Sequence, residues 1–390
     1  MSGLSIFSLK IPSLLQYEKT KEQIPLKHNL NKLFGVKNAP SDTQLRKRLD
    51  DVEPDLLRPV FKKIFAALQR GKQLEKFVSI EDHYLLSVDG TGYFSSDSVH
   101  CEHCCEKKHK NGNITYYHQM LAGSIVHPQS KVVIPVAPEL IYKQDGDNKN
   151  DCEKNALIRF IKNFRREHPH LKTIILLDSL YADGPTVKLL DQYNIKYIIN
   201  VKESNHAYLY DAIKNSTLSN LELESGEKIK YKNSLPINYE NADYLVNYIK
   251  FNTVSTKKKD IKFHWITNVT ISNENAYQIC QGARTRWKIE NETFNTLKNL
   301  GYNFEHNFGH GYKNLSHVFV NLMLCAFLID QAVALCCQVR KQARNKYHAN
   351  TVFWDKIKGL FLEYMLNTWE DIYLSMTNGY KIPELIPDTS

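Results

Sequence analysis

No stretch of this chain is both long and uniformly apolar. The most apolar run, Val318 to Val339, is broken by Asn321, Asp330 and Gln331, so it reads as a buried helix of a soluble protein rather than a membrane span. Met1 to Lys10 carries no charged stretch followed by a long apolar run, and no secretory leader is expected. Cysteine is sparse, eight in 390 residues, and partly clustered at Cys101, Cys104, Cys105 and at Cys336, Cys337. That spacing excludes a secreted disulfide scaffold, which a chain of this size does not need, and fits a reducing, intracellular setting. No internal repeat is visible. Acidic residues are in deficit, 42 against 51 Lys and Arg, and the formal charge of +9 is compatible with a polyanionic partner without identifying one.

What is present is ordinary globular material, 42% hydrophobic and 24% charged, long enough for two or three domains. Residues 1–80 read as helical. Pro40-Ser41-Asp42 looks like a helix start, and Leu45, Leu49 and Val52 follow at helical spacing. A second run carries Leu56, Leu57, Val60, Ile64, Ala67 and Leu68 and is closed by Gly71, with a basic exposed face that suits either DNA or solvent. From residue 81 to 205 the pattern is three strands, helix, strand, helix, strand: His83–Asp89, Met120–Val126, Val132–Ala137, Cys152–Glu167, Thr173–Asp178, Pro185–Tyr193 and Tyr197–Val201. Residues 206–262 are polar, with short alternating pieces and a basic run Lys257-Lys258-Lys259, and read as a small β-rich insertion. The core resumes over 263–312 with a strand and a strongly helical Asn273–Asn299, and 313–390 is a C-terminal helical region.

Asp89 and Asp178 each end an apolar strand, and in an open α/β sheet ligands gather outside strand ends. Thr173 to Leu177 is apolar throughout, as a strand covered on both faces is. On a uniform helix turning about 100° per residue, Glu290 lies within about 40° of Ala283, Phe294 and Leu297, so it interrupts the apolar stripe. A carboxylate on that face is expensive unless it is paired or holds a cation. Arg286, four residues earlier, is a competing partner for Glu290. Three carboxylates suit hard divalent cations, and two such ions can drive an in-line phosphodiester displacement.

Arg286-Trp287-Lys288-Ile289-Glu290 is where the chain resembles the DDE transposases of bacterial insertion sequences, in particular the group with a Tyr-Arg-Glu-Lys signature. The resemblance runs from about Tyr84 to His310. Ala283 stands at the signature's Tyr position and Leu297 at its Lys position, with Lys298 one residue later. It implies a ribonuclease-H-like mixed sheet flanked by helices, with a β-rich insertion between the second Asp and the Glu. It further implies Asp89, Asp178 and Glu290 as catalytic residues on two Mg2+ or Mn2+ ions. Arg286 is then expected at DNA phosphate, with Lys298, Arg284 and Lys288 also on DNA. The implied activity is cleavage and strand transfer at terminal inverted repeats, by a homodimer or larger assembly on double-stranded DNA in the bacterial cytoplasm, with no membrane partner. A nuclease without strand transfer and a degenerate DNA-binding module are the alternatives.

One cluster stands outside that scheme. Cys101, His103, Cys104, Cys105 and His109 are soft metal ligands in close succession and could supply a structural zinc site, although no second CxxC pair follows. The other reading is a reduced loop whose Lys107, Lys108 and Lys110 touch DNA backbone. His118 is expected to be a hydrogen-bonded structural residue, and Asp183, beside Gly184-Pro185, a helix cap.

Overall fold

A computed structural model describes residues 1–142, 152–253 and 261–379; the basic run Lys257-Lys258-Lys259 lies outside them. The chain divides into two compact units, one made of Met1–Leu57 with the residues from Thr296 onward, the other of Arg58–Asn295. Helices α1 (Ser2–Ser8), α2 (Leu14–Thr20), α3 (Ile24–Phe34), α4 (Asp42–Asp50) and α5 (Arg58–Arg70) precede the first strand. Ser41 caps α4 by accepting from the Gln44 amide at 3.3 Å. On α5 the buried stripe is Phe61, Phe65 and Leu68, whereas Leu56 and Val60 of the expected apolar run are exposed.

The second unit is built on one mixed sheet. Its strands are β1 (Tyr84–Ser96), β2 (Cys105–Lys108), β3 (Ile114–Val126), β4 (Ile134–Pro135), β5 (Glu139–Ile141), β6 (Thr173–Leu177), β7 (Lys196–Asn200), β8 (Ser219–Glu222), β9 (Lys228–Pro236), β10 (Leu245–Asn252) and β11 (Lys262–Thr267). The central order is β3-β1-β6-β7. β3 is antiparallel to β1, whereas β6 and β7 run parallel to it. β4 and β5 both pair with β3, so the early strands form a meander at one side. This is the ribonuclease-H-like arrangement. The sheet continues from β7 through β11, β10, β9 and β8, all antiparallel. The β-rich segment between Asp178 and Glu290 therefore extends the core sheet instead of forming a separate one.

Local chemistry explains the central elements. Every residue of β6 is buried, and its Ile-Ile-Leu-Leu run suits a parallel strand covered on both faces. Helix α6 (Glu153–Glu167) buries Ala156, Leu157, Phe160, Ile161 and Phe164, one stripe at helical spacing. It crosses β3 where Gly123 leaves room: a Cβ there would come within 2.6 Å of the Phe160 ring. Helix α7 (Gly184–Gln192) is capped by Asp183, which accepts from the Thr186 amide at 2.9 Å, as its position beside Gly-Pro suggests. α8 (Ala207–Lys214) opens the inserted segment.

The long helical run after β11 is not uniform. α9 (Ala276–Arg284) gives way to a 3-10 turn over Thr285–Trp287, a π-helical turn over Ile289–Phe294, and α10 (Asn295–Asn299).

The first unit closes both ends of the chain on one core. α11 (Leu315–Cys336) packs along α1, and α12 (Gln338–Asn345), α13 (Asn350–Glu363) and α14 (Trp369–Asn378) complete it, α13 against α3. Asn29 ties the two ends together: its amide donates to the carbonyls of Phe361 and Tyr364 and its oxygen accepts from the Leu366 amide. Asp50 likewise accepts from the amides of Tyr312, Lys313 and Leu315 at 2.9–3.0 Å. α11 is long and apolar enough to cross a membrane by length and composition alone. However, 61% of its most apolar window is buried, as in the core helix of a globular unit.

Candidate active site

Parallel pairing brings the two aspartates level. β1 and β6 are in register at Ser87↔Leu176, and two residues further on lie Asp89, inside β1 rather than at its expected end, and Asp178, one residue past β6. Ser87 and Asp89 share one face of β1, because strand side chains alternate. On that face lies the helical run bearing Glu290. Ser87 Oγ donates to the Arg286 carbonyl at 2.8 Å, and Ser124 Oγ, opposite Ser87 on β3, meets Thr293 Oγ1 at 3.1 Å. Two small hydroxyls thus seat the helix close to the sheet on either side of Glu290.

Arg286 joins the carboxylates. Its guanidinium donates to Asp89 Oδ2 at 3.2 Å and to Glu290 Oε1 at 2.5 Å. The helix pair Arg286–Glu290 and the approach of Glu290 to Asp89 are therefore both present. Burial pushes the Asp89 carboxyl up to about 6; Arg286 pulls it down, whereas the charges of Glu290 and Asp178 push it further up. Asp178 Oδ1 accepts from the Leu180 amide at 2.9 Å, which fixes its carboxylate at the strand exit.

The buried-face expectation for Glu290 is corrected: its side chain is 49% exposed. The wheel assumed a constant turn per residue, but the helix tightens before Glu290 and widens through it. The residues turned inward are Thr285, Lys288, Ile289, Thr293 and Phe294. π-helical turns recur at functional sites because they swing one side chain out of phase with its helix.

A fourth carboxylate, which the sequence reading missed, belongs to this neighbourhood. Glu153, in the first turn of α6, lies against Gly90, where a Cβ would come within 2.3 Å of its Oε1. Tyr181 donates to Glu153 at 3.3 Å. Burial raises the Glu153 carboxyl; the Tyr181 hydroxyl counters this and the Asp178 charge adds to it. Gly90, the residue after Asp89, is the sequence signal for that close approach.

The expected DNA-contacting cations separate. Arg284 lies over the rings of Phe263 and Phe251, at 5.5 and 5.9 Å from their centroids. Lys288 is buried, and its ammonium donates to the carbonyls of His127, Pro128 and Ser130, which occupies all three hydrogens. Lys298 belongs to the other compact unit and pairs with Glu305 at 2.7 Å. Of the soft ligands, Cys101 and Cys104 come together with His118, whereas His109 bonds Thr115 and Cys105 Sγ lies 3.9 Å from the Ile141 carbonyl.

A ribonuclease-H-like sheet with Asp89 inside β1 level with Asp178 just past the end of β6, and a third carboxylate on the helical run laid against β1, defines the class. The comparisons give the family: the transposase DDE domain matches residues 84–329, from the first residue of β1 into α11, and the chain belongs to this family. It is a transposase of the DDE type, a DNA-acting enzyme of a family that uses divalent metal ions. Among solved structures it is similar to the NurA nuclease from Sulfolobus solfataricus at 10% identity, covering 59% of this chain and 84% of that one, with a TM-score of 0.25. No curated protein matches.

Proposed function

We propose that this transposase cleaves DNA at the ends of its own insertion sequence and joins those ends to target DNA, using Asp89, Asp178 and Glu290. The observation that carries the reading is the level placement of Asp89, within β1, and Asp178, at the end of β6, with Arg286 linking Asp89 to Glu290. The donor set fits divalent cations: hard oxygens, a mutual repulsion among them, and partial exposure at Glu290. Asp89, Asp178 and Glu290 would hold two Mg2+ or Mn2+ ions, with Glu153 beside them. When bound, such ions supply an activated water or 3′-hydroxyl and stabilise the leaving oxygen of an in-line displacement.

The chain's own groups do the rest. Asp178 is held by a backbone amide and Asp89 by its strand, so both oxygens are positioned before DNA arrives. Arg286, partly exposed and already between two carboxylates, can turn one arm of its fork to a phosphate. The Tyr-Arg-Glu-Lys group assignment rests on Arg286-Trp287-Lys288-Ile289-Glu290; Ala283 and Leu297, at its Tyr and Lys positions, are both buried. Action on paired ends as a homodimer or larger assembly, and a place with the bacterial nucleoid, follow from the same resemblance.

The test is a cleavage and strand-transfer assay in Mg2+ or Mn2+ on duplexes carrying the element's terminal repeats, comparing the native chain with D89A, D178A and E290A. Joined products from the native chain, and DNA-binding but inert variants, are expected. Cut but never joined DNA indicates a nuclease, binding without cutting indicates a binding module, and active variants remove the three carboxylates from the reaction.

A further inference from the structure

We propose that Cys101, Cys104 and His118 bind a zinc ion that staples the loop between β1 and β2 onto β3. The three ligand atoms form a nearly regular triangle: Sγ to Sγ is 3.9 Å, and His118 Nε2 lies 3.6 Å from Cys101 Sγ and 3.4 Å from Cys104 Sγ. Tetrahedral zinc, with Zn–S near 2.3 Å and Zn–N near 2.0 Å, separates two sulfurs by about 3.8 Å and sulfur from nitrogen by about 3.6 Å. The triangle has those edges within a few tenths of an ångström, so one ion can reach all three atoms with little rearrangement.

The backbone prepares this arrangement. Cys101 to Cys104 is a turn closed by the Cys104 amide on the Cys101 carbonyl at 3.2 Å, which puts both sulfurs on one side. His118 comes from a different element, opposite Phe94 in the β1–β3 ladder, and its ring stacks against Tyr93 at 5.8 Å. The loop is already laid on β3 by Thr115 donating to Asp97 at 2.8 Å and by His100 stacked on Tyr116 at 4.3 Å. Cys104 and His118 are buried and Cys101 is half-buried, so an ion here is shielded from bulk solvent on most sides. The donors are soft and borderline, unlike the oxygens of the carboxylate site, and select zinc over magnesium. His103 and His109 are not ligands, and the fourth position is left to water or a ligand these three residues do not supply.

Both thiols bind as thiolates, so uptake of one zinc releases about two protons. The ion would fix β3 four residues before Ala122, the partner of Asp89, and so brace the strand beside the carboxylates.

The test uses the full chain purified under reducing conditions, with metal content measured by mass spectrometry and Co2+ substitution read by its thiolate charge-transfer absorption. About one zinc per chain is expected, together with a cobalt spectrum of two thiolates and a Tm that falls by several degrees on chelation. C101S, C104S and H118N should each lose the metal, whereas H103N, H109N and C105S keep it. If a serine variant is insoluble, the cobalt titration of the chelator-treated native chain decides. A native chain that takes up neither zinc nor cobalt, or one whose metal survives H118N but not H103N, overturns the assignment.

Discussion

Asp89 is held among like charges that a cation would relieve, and this fixes the sign of its substitution. At pH 8 without metal, folding costs its ionised carboxyl up to about 3 kcal/mol relative to the unfolded chain, with the opposing pull of Arg286 already included. D89N should therefore raise the metal-free Tm by a few degrees while abolishing the Tm increase that Mg2+ gives the native chain. A clear metal-free loss of stability, or a retained Mg2+ response, would sink that account. Gly90→Ala probes Glu153 on the other side of the strand. The clash is with the end of a flexible side chain, so the variant should fold with a similar Tm but need more Mg2+ for half-maximal cleavage. An unchanged Mg2+ requirement would remove Glu153 from the site. His168 sets a pH limit on the fold itself. It packs on Phe65 and Phe164, and burial, with Lys62, Arg165 and Arg58 nearby, lowers it from 6.5 to about 4. Between those values the unfolded chain binds more protons than the folded one, so stability is lost as pH falls, by up to about 3 kcal/mol. Urea unfolding at pH 7 and pH 4.5 measures this, and H168Q should flatten the difference.

At the scale of elements, the decisive feature is the π-helical turn over Ile289–Phe294. Deleting Asn291 would restore an ordinary helical turn and shift Thr293 away from Ser124. Cleavage should fall by about 100-fold or more while DNA binding and helix content persist, since displacements near 1 Å carry that cost. Retained cleavage would show that the turn is incidental. The same element marks where sequence reasoning stops. The strand ending at Asp178 was legible because an apolar run stopped by an aspartate is a local pattern, whereas β1 runs on past Asp89 to Ser96 because its ladder with β3 outlasts its apolar run. Glu290 was found by its motif, but its exposure was misjudged because no local rule announces a change of helical pitch. Glu153 and His118 were missed as partners for a different reason. Each becomes significant only through a crossing, α6 over Gly90 or β3 under the Cys101–Cys104 turn, that pairs residues dozens of positions apart.

On the scale of the whole molecule, the family match ends at residue 329, inside α11, while the core of the first unit runs on through Phe353, Ile357, Leu360 and Phe361. A chain stopped after Ile329 should lose this unit and aggregate, as light scattering during expression or refolding would report; a soluble, monodisperse product would contradict the described packing. Within that core Lys10 is buried, paired with Asp330 at 2.5 Å and set over Trp354 and Tyr302. Lys10→Met removes the ammonium from Asp330, which keeps the Tyr302 hydroxyl as a neutral donor, and should cost about 3–5 kcal/mol by chemical denaturation. The net charge of +9 predicts that affinity for any duplex falls steeply between low and moderate salt, read as the slope of log affinity against log salt.

The pairing of Asn29 with Phe361, Tyr364 and Leu366 also has a timetable. At elongation rates of roughly 5–20 residues per second, Phe361 leaves the ribosome about 15–60 s after the first four helices. During that interval the intervening sheet can fold, while Ile6, Phe7, Leu26 and Leu30 wait without their final neighbours. The molecule is thus assembled like a parenthesis, opened early and closed last. A message cut short yields a chain with its strands in place and the bracket still open.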